Sequence, residues 1–169
     1  MEPTKSDHLS DADLALRGLS RETDIVLDAE GRFWSGPQPI SHPNVVEAFS
    51  RWIDRTDAGR YVLRNAIHYV YLDVHDAPLH ARAVEIDEDG ATLLLQGGVR
   101  ERLRPETLRQ GPEGTIYASG RDGTWPIRLH PAAVLGLEPL LREEGGEVAL
   151  AIAGARFPIP TVSAPLDPS

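Results

Sequence analysis

Two His-Pro pairs, His42-Pro43 and His130-Pro131, each open a segment whose apolar residues recur at helical spacing. Each pair follows a short strand pattern that carries a tryptophan, Trp34 in one case and Trp125 in the other. Proline suits the first turn of a helix because the N–H it lacks would have had no partner inside the helix. Laid on each other, Ile25 and Trp34 fall on Ile116 and Trp125. After the extra residues Ser35, Gly36, Pro37 and Gln38 of the first copy, Val46, Phe49, Trp52 and Ile53 fall on Val134, Leu137, Leu140 and Leu141. The order in each copy is hairpin, Pro-started helix, glycine stop, hairpin. The expectation is an α+β fold of two related β-hairpin–helix–β-hairpin units joined by central antiparallel strands, each helix covering the apolar face of its own sheet.

The expected boundaries follow from this order. Residues 1–19 form an N-terminal extension with a short helix over 10–19, where Ser10 and Asp13 resemble a capping box and Gly18 weakens the helix. Residues 20–78 form the first unit. Here Ser41 is the expected N-cap of a helix that runs through Ile53 and stops at Thr56, Asp57, Ala58 and Gly59. Residues 67–74 are the longest strand-like run. Residues 79–114 supply central strands and a linker, with strands over 79–86, 92–95 and 99–103, a turn at Gly90 and one helical turn after Pro105. Residues 115–161 form the second unit, its helix carrying Leu140 and Leu141 and stopping at Gly145-Gly146. Residues 162–169 are polar and proline-rich and are expected to be a disordered tail.

Charge narrows the partners. Lys and Arg number 17 against 26 Asp and Glu, a formal balance of 17 − 26 = −9. Nucleic-acid affinity rests on cations that displace counterions, so no nucleic-acid partner is expected. Nor is an anionic membrane surface. There is no cysteine, which excludes disulfides, thiol nucleophiles and Cys-ligated metals. No apolar run approaches a membrane span and no secretory leader is evident at the start, so cytoplasmic residence is expected. The oligomeric expectation is monomer or homodimer.

No strong catalytic motif is present: no Gly-x-Ser-x-Gly, no phosphate-binding loop, no dinucleotide fingerprint and no His-Glu-x-x-His. No cofactor is expected. Four weaker groupings remain. Tyr61, Tyr69 and Tyr71, with Asp73, Asp76 and Pro78, offer rigid rings and hydroxyls on a strand face beside a proline turn, a platform for a ligand. Asp73, His75 and His80, with Asp76, are oxygen and imidazole donors of a kind that binds Zn, Mn or Fe, and they are the basis of an alternative metal or hydrolase reading. Arg100, Arg102, Arg104 and Arg109 form a basic cluster, expected to pair with nearby Glu101 and Glu106. The histidines of the two His-Pro pairs are expected to cap or pack at their helix starts.

The motifs Gly31-Arg32-Phe33-Trp34, Pro39-Ile40-Ser41-His42-Pro43, Phe49-Ser50-Arg51, Gly59-Arg60-Tyr61-Val62-Leu63 and Val74-His75-Asp76-Ala77-Pro78 carry a further signal. Through them the chain resembles a bacterial family of uncharacterised proteins, filed among domains of unknown function. The resemblance runs over about 25–159 and is clearest in the first half. It implies a two-unit α+β protein with a repeated motif and a role in ligand sensing or signal transduction. The chain departs from the family pattern at Asn65, Ala66, Ile67 and His68, and at Leu79. The leading expectation is therefore a non-catalytic protein that binds a small molecule or a protein. The alternatives are the metal-dependent or hydrolase-like enzyme and a protein-interaction scaffold that offers a strand edge.

Overall fold

The computed structural model describes residues 10–16 and 20–167. The chain is α+β, mostly short strands with few helices, and divides into two compact units, Met1–Asp76 and Ala77–Ser169. The helix expected over 10–19 is present as α1 (Asp11–Leu16). Gly18, Leu19 and residues 1–9 lie outside the described residues, as do the side chains of Asp13, Leu14 and Ala15, on which the expected capping box and apolar face depend. Among the described residues no helix is long and apolar enough to cross a membrane.

The first unit then runs β1 (Ile25–Leu27), β2 (Phe33–Ser35), β3 (Gln38–Ile40), α2 (Pro43–Trp52), β4 (Ile53–Arg55), β5 (Tyr61–Arg64), β6 (Tyr69–Tyr71) and β7 (Asp73–Val74). One sheet has the order β3-β2-β1-β7 and the other β4-β5-β6. The β1–β2 hairpin is set by Asp28. Its Oδ1 accepts from the amides of Glu30 and Arg32, and its Oδ2 from Arg32 Nε and Trp34 Nε1, all within 3.1 Å. Burial works to raise the Asp28 pKa, but these hydrogen bonds outweigh it and hold the carboxyl below its ordinary range. Leu27, Phe33, Val62, Leu63 and Leu72 make the core, and Phe33 meets Phe49 of α2 edge-on with centroids 5.5 Å apart.

Three expectations change here. His42, not Ser41, caps α2: its Nδ1 accepts from the Asn44 amide at 3.2 Å. The helix ends at Trp52, because Ile53 is extended (φ −62°, ψ 123°) and starts β4, and Thr56 and Gly59 belong to the β4–β5 turn. The strand expected over 67–74 is divided. β6 pairs with β5, the chain dips through buried Leu72, and β7 then pairs in parallel with β1 in the other sheet. Residues Ile67 and His68 fall in a turn in which Asn65 Oδ1 accepts both of their amides.

The second unit runs β8 (Leu79–Ile86), β9 (Ala91–Leu95), β10 (Val99–Arg102), a 3-10 turn at Pro105–Thr107, β11 (Arg109–Gln110), β12 (Ile116–Gly120), β13 (Trp125–Leu129), α3 (Pro131–Leu137), a second 3-10 turn at Glu138–Leu140, β14 (Leu141–Glu144), β15 (Glu147–Ile152) and β16 (Ala155–Pro158). The strands expected to be central are antiparallel to one another but belong to this unit's six-stranded sheet, order β10-β9-β8-β13-β12-β11, with β8 parallel to β13. Helix α3 lies on β8, close enough that a Cβ at Gly136 would stand 3.4 Å from Val84 Cβ. The helix stops before Leu140 and Leu141, which were expected on its apolar face. Pro139 cannot continue the helical hydrogen bonds, and Leu141 opens the meander β14-β15-β16. Residues 160–167 are not a free tail. Gln110 donates to Pro160 O, Val162 donates to Gln110 O, and Arg109 Nε donates to Pro165 O at 2.5 Å. Residues 168 and 169 lie outside the described residues.

Candidate functional site

In the first unit, β5 supplies Tyr61, β6 supplies Tyr71, and β7 supplies Asp73. With Glu22, Thr23 and Arg60 they line a cavity of about 460 Å³. The division of the expected 67–74 strand creates this concavity, since Tyr71 and Asp73 sit in different sheets on either side of buried Leu72. The wall is polar and held in place. Tyr71 Oη donates to Asp11 Oδ2 at 2.7 Å, and Arg60 Nη2 donates to Glu22 Oε2 at 2.8 Å. The Arg60 guanidinium lies 3.4 Å from the Tyr71 ring centroid, a cation–π contact. Thr23 Oγ1 donates to the Tyr71 carbonyl. The hydrogen bond to Asp11, then burial, raises the Tyr71 pKa, so the phenol stays a donor; the bond to Glu22 raises that of Arg60.

Tyr69 does not line this cavity. Its ring carries cation–π contacts from Arg21 (3.7 Å) and Arg64 (4.6 Å) and meets Tyr71 edge-on at 6.1 Å. Arg21 is buried; its Nε donates to Asp11 Oδ1 and its Nη1 to the Tyr69 carbonyl. One acidic residue, Asp11, thus ties Arg21 to Tyr71. Asp76 is half-buried at the end of the first unit, and Pro78 is buried in the second.

The metal reading does not assemble. Asp73 Oδ2 and His75 Nε2 form an exposed pair 3.2 Å apart. His80 is buried, with its Nδ1 2.8 Å from His130 Nε2. Among the described residues no three His, Cys, Asp or Glu are grouped to hold a metal. The expected Arg–Glu pairing is also redirected. Arg100 bonds Glu85, and Arg102 bonds Asp87 through both of its terminal nitrogens, across the sheet and not along the chain. Arg104 bonds the Arg121 carbonyl, and Glu101 Oε1 accepts from the Arg121 amide. Arg109 is buried.

Two features escaped the sequence reading. One is the His80–His130 pair. Burial first, then the charges of His130, Arg82 and Arg128, push the His80 imidazole down to about 3, against a smaller raising effect of the Ala77 backbone. The other is a groove of about 530 Å³ beside α3, lined chiefly by Ile116, Leu129, Val134, Leu135 and Leu141, with Arg128 among them.

The fold and this cavity define an α+β protein of short strands with a polar cleft. No family model matches the chain, and no curated protein matches it. Among solved structures the chain is similar to a DUF1285 family protein from Silicibacter pomeroyi DSS-3, with TM-score 0.64 and 24% identity over 82% of this chain and 80% of that one. It is also similar to a DUF1285 family protein from Shewanella baltica OS155, with TM-score 0.55 and 16% identity over 67% of this chain and 88% of that one. Both neighbours are bacterial and of a family of unknown function, in agreement with the resemblance read from the sequence motifs. They share the fold; no activity comes with it.

Proposed function

We propose that this is a cytoplasmic, non-catalytic protein that binds a small polar metabolite in the first unit's cavity, in a regulatory or signalling role. The observation that carries this reading is the convergence of Tyr61, Tyr71, Asp73, Glu22 and Arg60 on one cavity of about 460 Å³. That volume lies within the range of small-molecule sites, about 300–1,000 Å³. Rings give contact area, and the carboxylates and Arg60 give orientation. Because Arg60 and Tyr71 are already held by Glu22 and Asp11, a ligand would meet a preorganised wall and little ordering would oppose binding.

Thermal shift of the full chain against a library of polar metabolites tests the reading. The expected result is a stabilising ligand whose effect is lost in Asp73→Asn and Tyr61→Ala. No stabilising ligand, or a hit indifferent to both substitutions, contradicts it. An apolar ligand in the α3 groove is the second reading, favoured by Leu135, which is 67% exposed there. A hit lost in Leu135→Asp but kept in Asp73→Asn would select it. The scaffold reading is weaker. The edge strands β10 and β14 carry charged residues, β3 and β16 carry proline, and residues 21–23 bond along β6. Charge, proline and cover are the usual protections of an edge.

We also read the two units as copies of one plan. In support, each unit contains a tryptophan-bearing hairpin, a helix opened by His-Pro, and a three-stranded meander that begins within a few residues of the helix end. Against strict equivalence, the parallel neighbour joins the first hairpin strand in one unit (β1 with β7) and the second in the other (β13 with β8).

A further inference from the structure

Arg109 lies in the second unit, 8% exposed, on the short strand β11. Its hydrogen bonds go to neutral acceptors: Nε to Pro165 O at 2.5 Å, Nη1 to Thr107 O at 2.9 Å, and Nη1 to Ser119 Oγ at 3.0 Å. Nη2 is buried with no partner, and among the described residues no carboxylate pairs with this guanidinium. A buried cation without a counter-charge, and with an unmet donor, is a costly arrangement. Among the described residues the other buried arginine is Arg21, and Arg21 has Asp11.

The geometry of the deficit is specific. Nε–H and Nη2–H project from the same edge of the planar guanidinium, the edge that takes the two oxygens of a carboxylate side-on. In Arg109 that edge meets a single carbonyl, at Nε. The carbonyl belongs to the strap of residues 160–167, which runs parallel to β11 at Gln110↔Thr161 and is held there by the Val162-to-Gln110 hydrogen bond. At its far end the strap presses Pro165 on Gly111, where a Cβ would stand 3.1 Å from Pro165 Cγ. Nη1, by contrast, is fully occupied and fixed. Thr107 Oγ1, which accepts from the Ser119 amide at 2.9 Å, links the two residues whose oxygens hold it.

We propose that Arg109 is the anchor of a site for a small carboxylate, and that the strap occupies half of it in the absence of ligand. One carboxylate oxygen replaces Pro165 O at Nε and the other takes Nη2. Binding therefore releases the far end of the strap, and the site couples ligand to the order of residues 163–167. This site is separate from the cavity of the first unit, and its fate does not depend on that reading.

The test uses the full chain and acetate as the probe, with chloride at matched ionic strength as the control. Arg109 Nε–H is followed by NMR, and amide exchange at Asp167, whose N–H bonds Ala164 O, reports the strap. The expected result is a saturable shift of the Arg109 Nε–H signal and faster exchange at Asp167 with acetate, neither with chloride. Arg109→Gln abolishes the exchange response. Because that variant removes a buried anchor and its folding is at stake, Pro165→Ala provides the second arm. It keeps the carbonyl but loosens the strap, so acetate should bind at least about threefold more tightly, as expected when a competing state loses population. No saturable shift, an equal response to chloride, or unchanged acetate affinity in Pro165→Ala would each overturn the proposal.

Discussion

Acid should weaken this protein through one buried pair. His80 on β8 and His130 at the start of α3 approach to 2.8 Å, with ring centroids 5.0 Å apart, and both are buried. One proton between Nδ1 and Nε2 joins the neutral pair. A second brings charge into a site also faced by Arg82 and Arg128, and His80 is accordingly pushed from 6.5 down to about 3. A histidine whose folded pKa is depressed binds its proton more readily when unfolded. Its contribution is fully present above about pH 6.5 and is lost as the pH falls from there toward 3. With these two values, the loss between about pH 8 and about pH 5 is about 2 kcal/mol, and the ceiling at lower pH is about 5 kcal/mol. Urea unfolding at a series of pH values, read by tryptophan fluorescence, measures it. The comparison is His80→Asn, whose amide can still exchange a hydrogen bond with His130 but carries no titrating group. The variant is expected to be less stable at pH 8 through lost packing, yet to decline about 2 kcal/mol less by pH 5. Parallel profiles for the two proteins would show that His80 is not the group whose protonation weakens the fold.

Gly120→Ala should destabilise by about 1–3 kcal/mol, because the new Cβ would stand 2.6 Å from Ile127 Cδ1 in the buried sheet; chemical denaturation checks it, and an unchanged midpoint would show that Ile127 yields freely. Asp28→Ala should cost about 2–3 kcal/mol, since it leaves the Glu30 and Arg32 amides and Trp34 Nε1 without their acceptor. With its pKa lowered, Asp28 contributes this stability above its ordinary value of 3.8 and loses it as the pH falls through the folded value, so wild type and Asp28→Ala should converge only in strong acid. Tyr71→Phe should cost about 1 kcal/mol by removing the bond to Asp11, while leaving the exchange of β8 and β9 amides unchanged.

Local grammar made much of the fold legible. The β8–β9 hairpin followed from alternation and the turn at Gly90, and both helix starts followed from proline, since each signal lies within a few residues of its consequence. The helix ends did not follow. Ile53 and Leu141 continue an apolar stripe at helical spacing, and each also suits the buried start of a strand; the decision belongs to pairing with Leu63 and Leu150, residues some ten positions away. For the cavity, the tyrosines and Asp73 stood out as polar groups on a strand-like run. Their concave arrangement came from a break at Leu72 that period-two alternation does not encode. Arg21 and Glu22, which help hold that wall, carried no motif, and Arg60 stood only within the string Gly59-Arg60-Tyr61-Val62-Leu63. The His80–His130 contact joins residues 50 apart through the parallel β8–β13 register, and Arg109 looked like one more member of a surface cluster. Burial separates it from Arg100 and Arg102, and burial is a tertiary fact.

Backbone amide NMR of the full chain, titrated with the stabilising metabolite from the thermal screen, asks where that molecule sits. Saturable shifts are expected at Arg60, Tyr61, Tyr71 and Asp73, with the amides around α3 unmoved. Shifts confined to Ile116, Leu129 and Val134, or spread without saturation over both units, would contradict this placement.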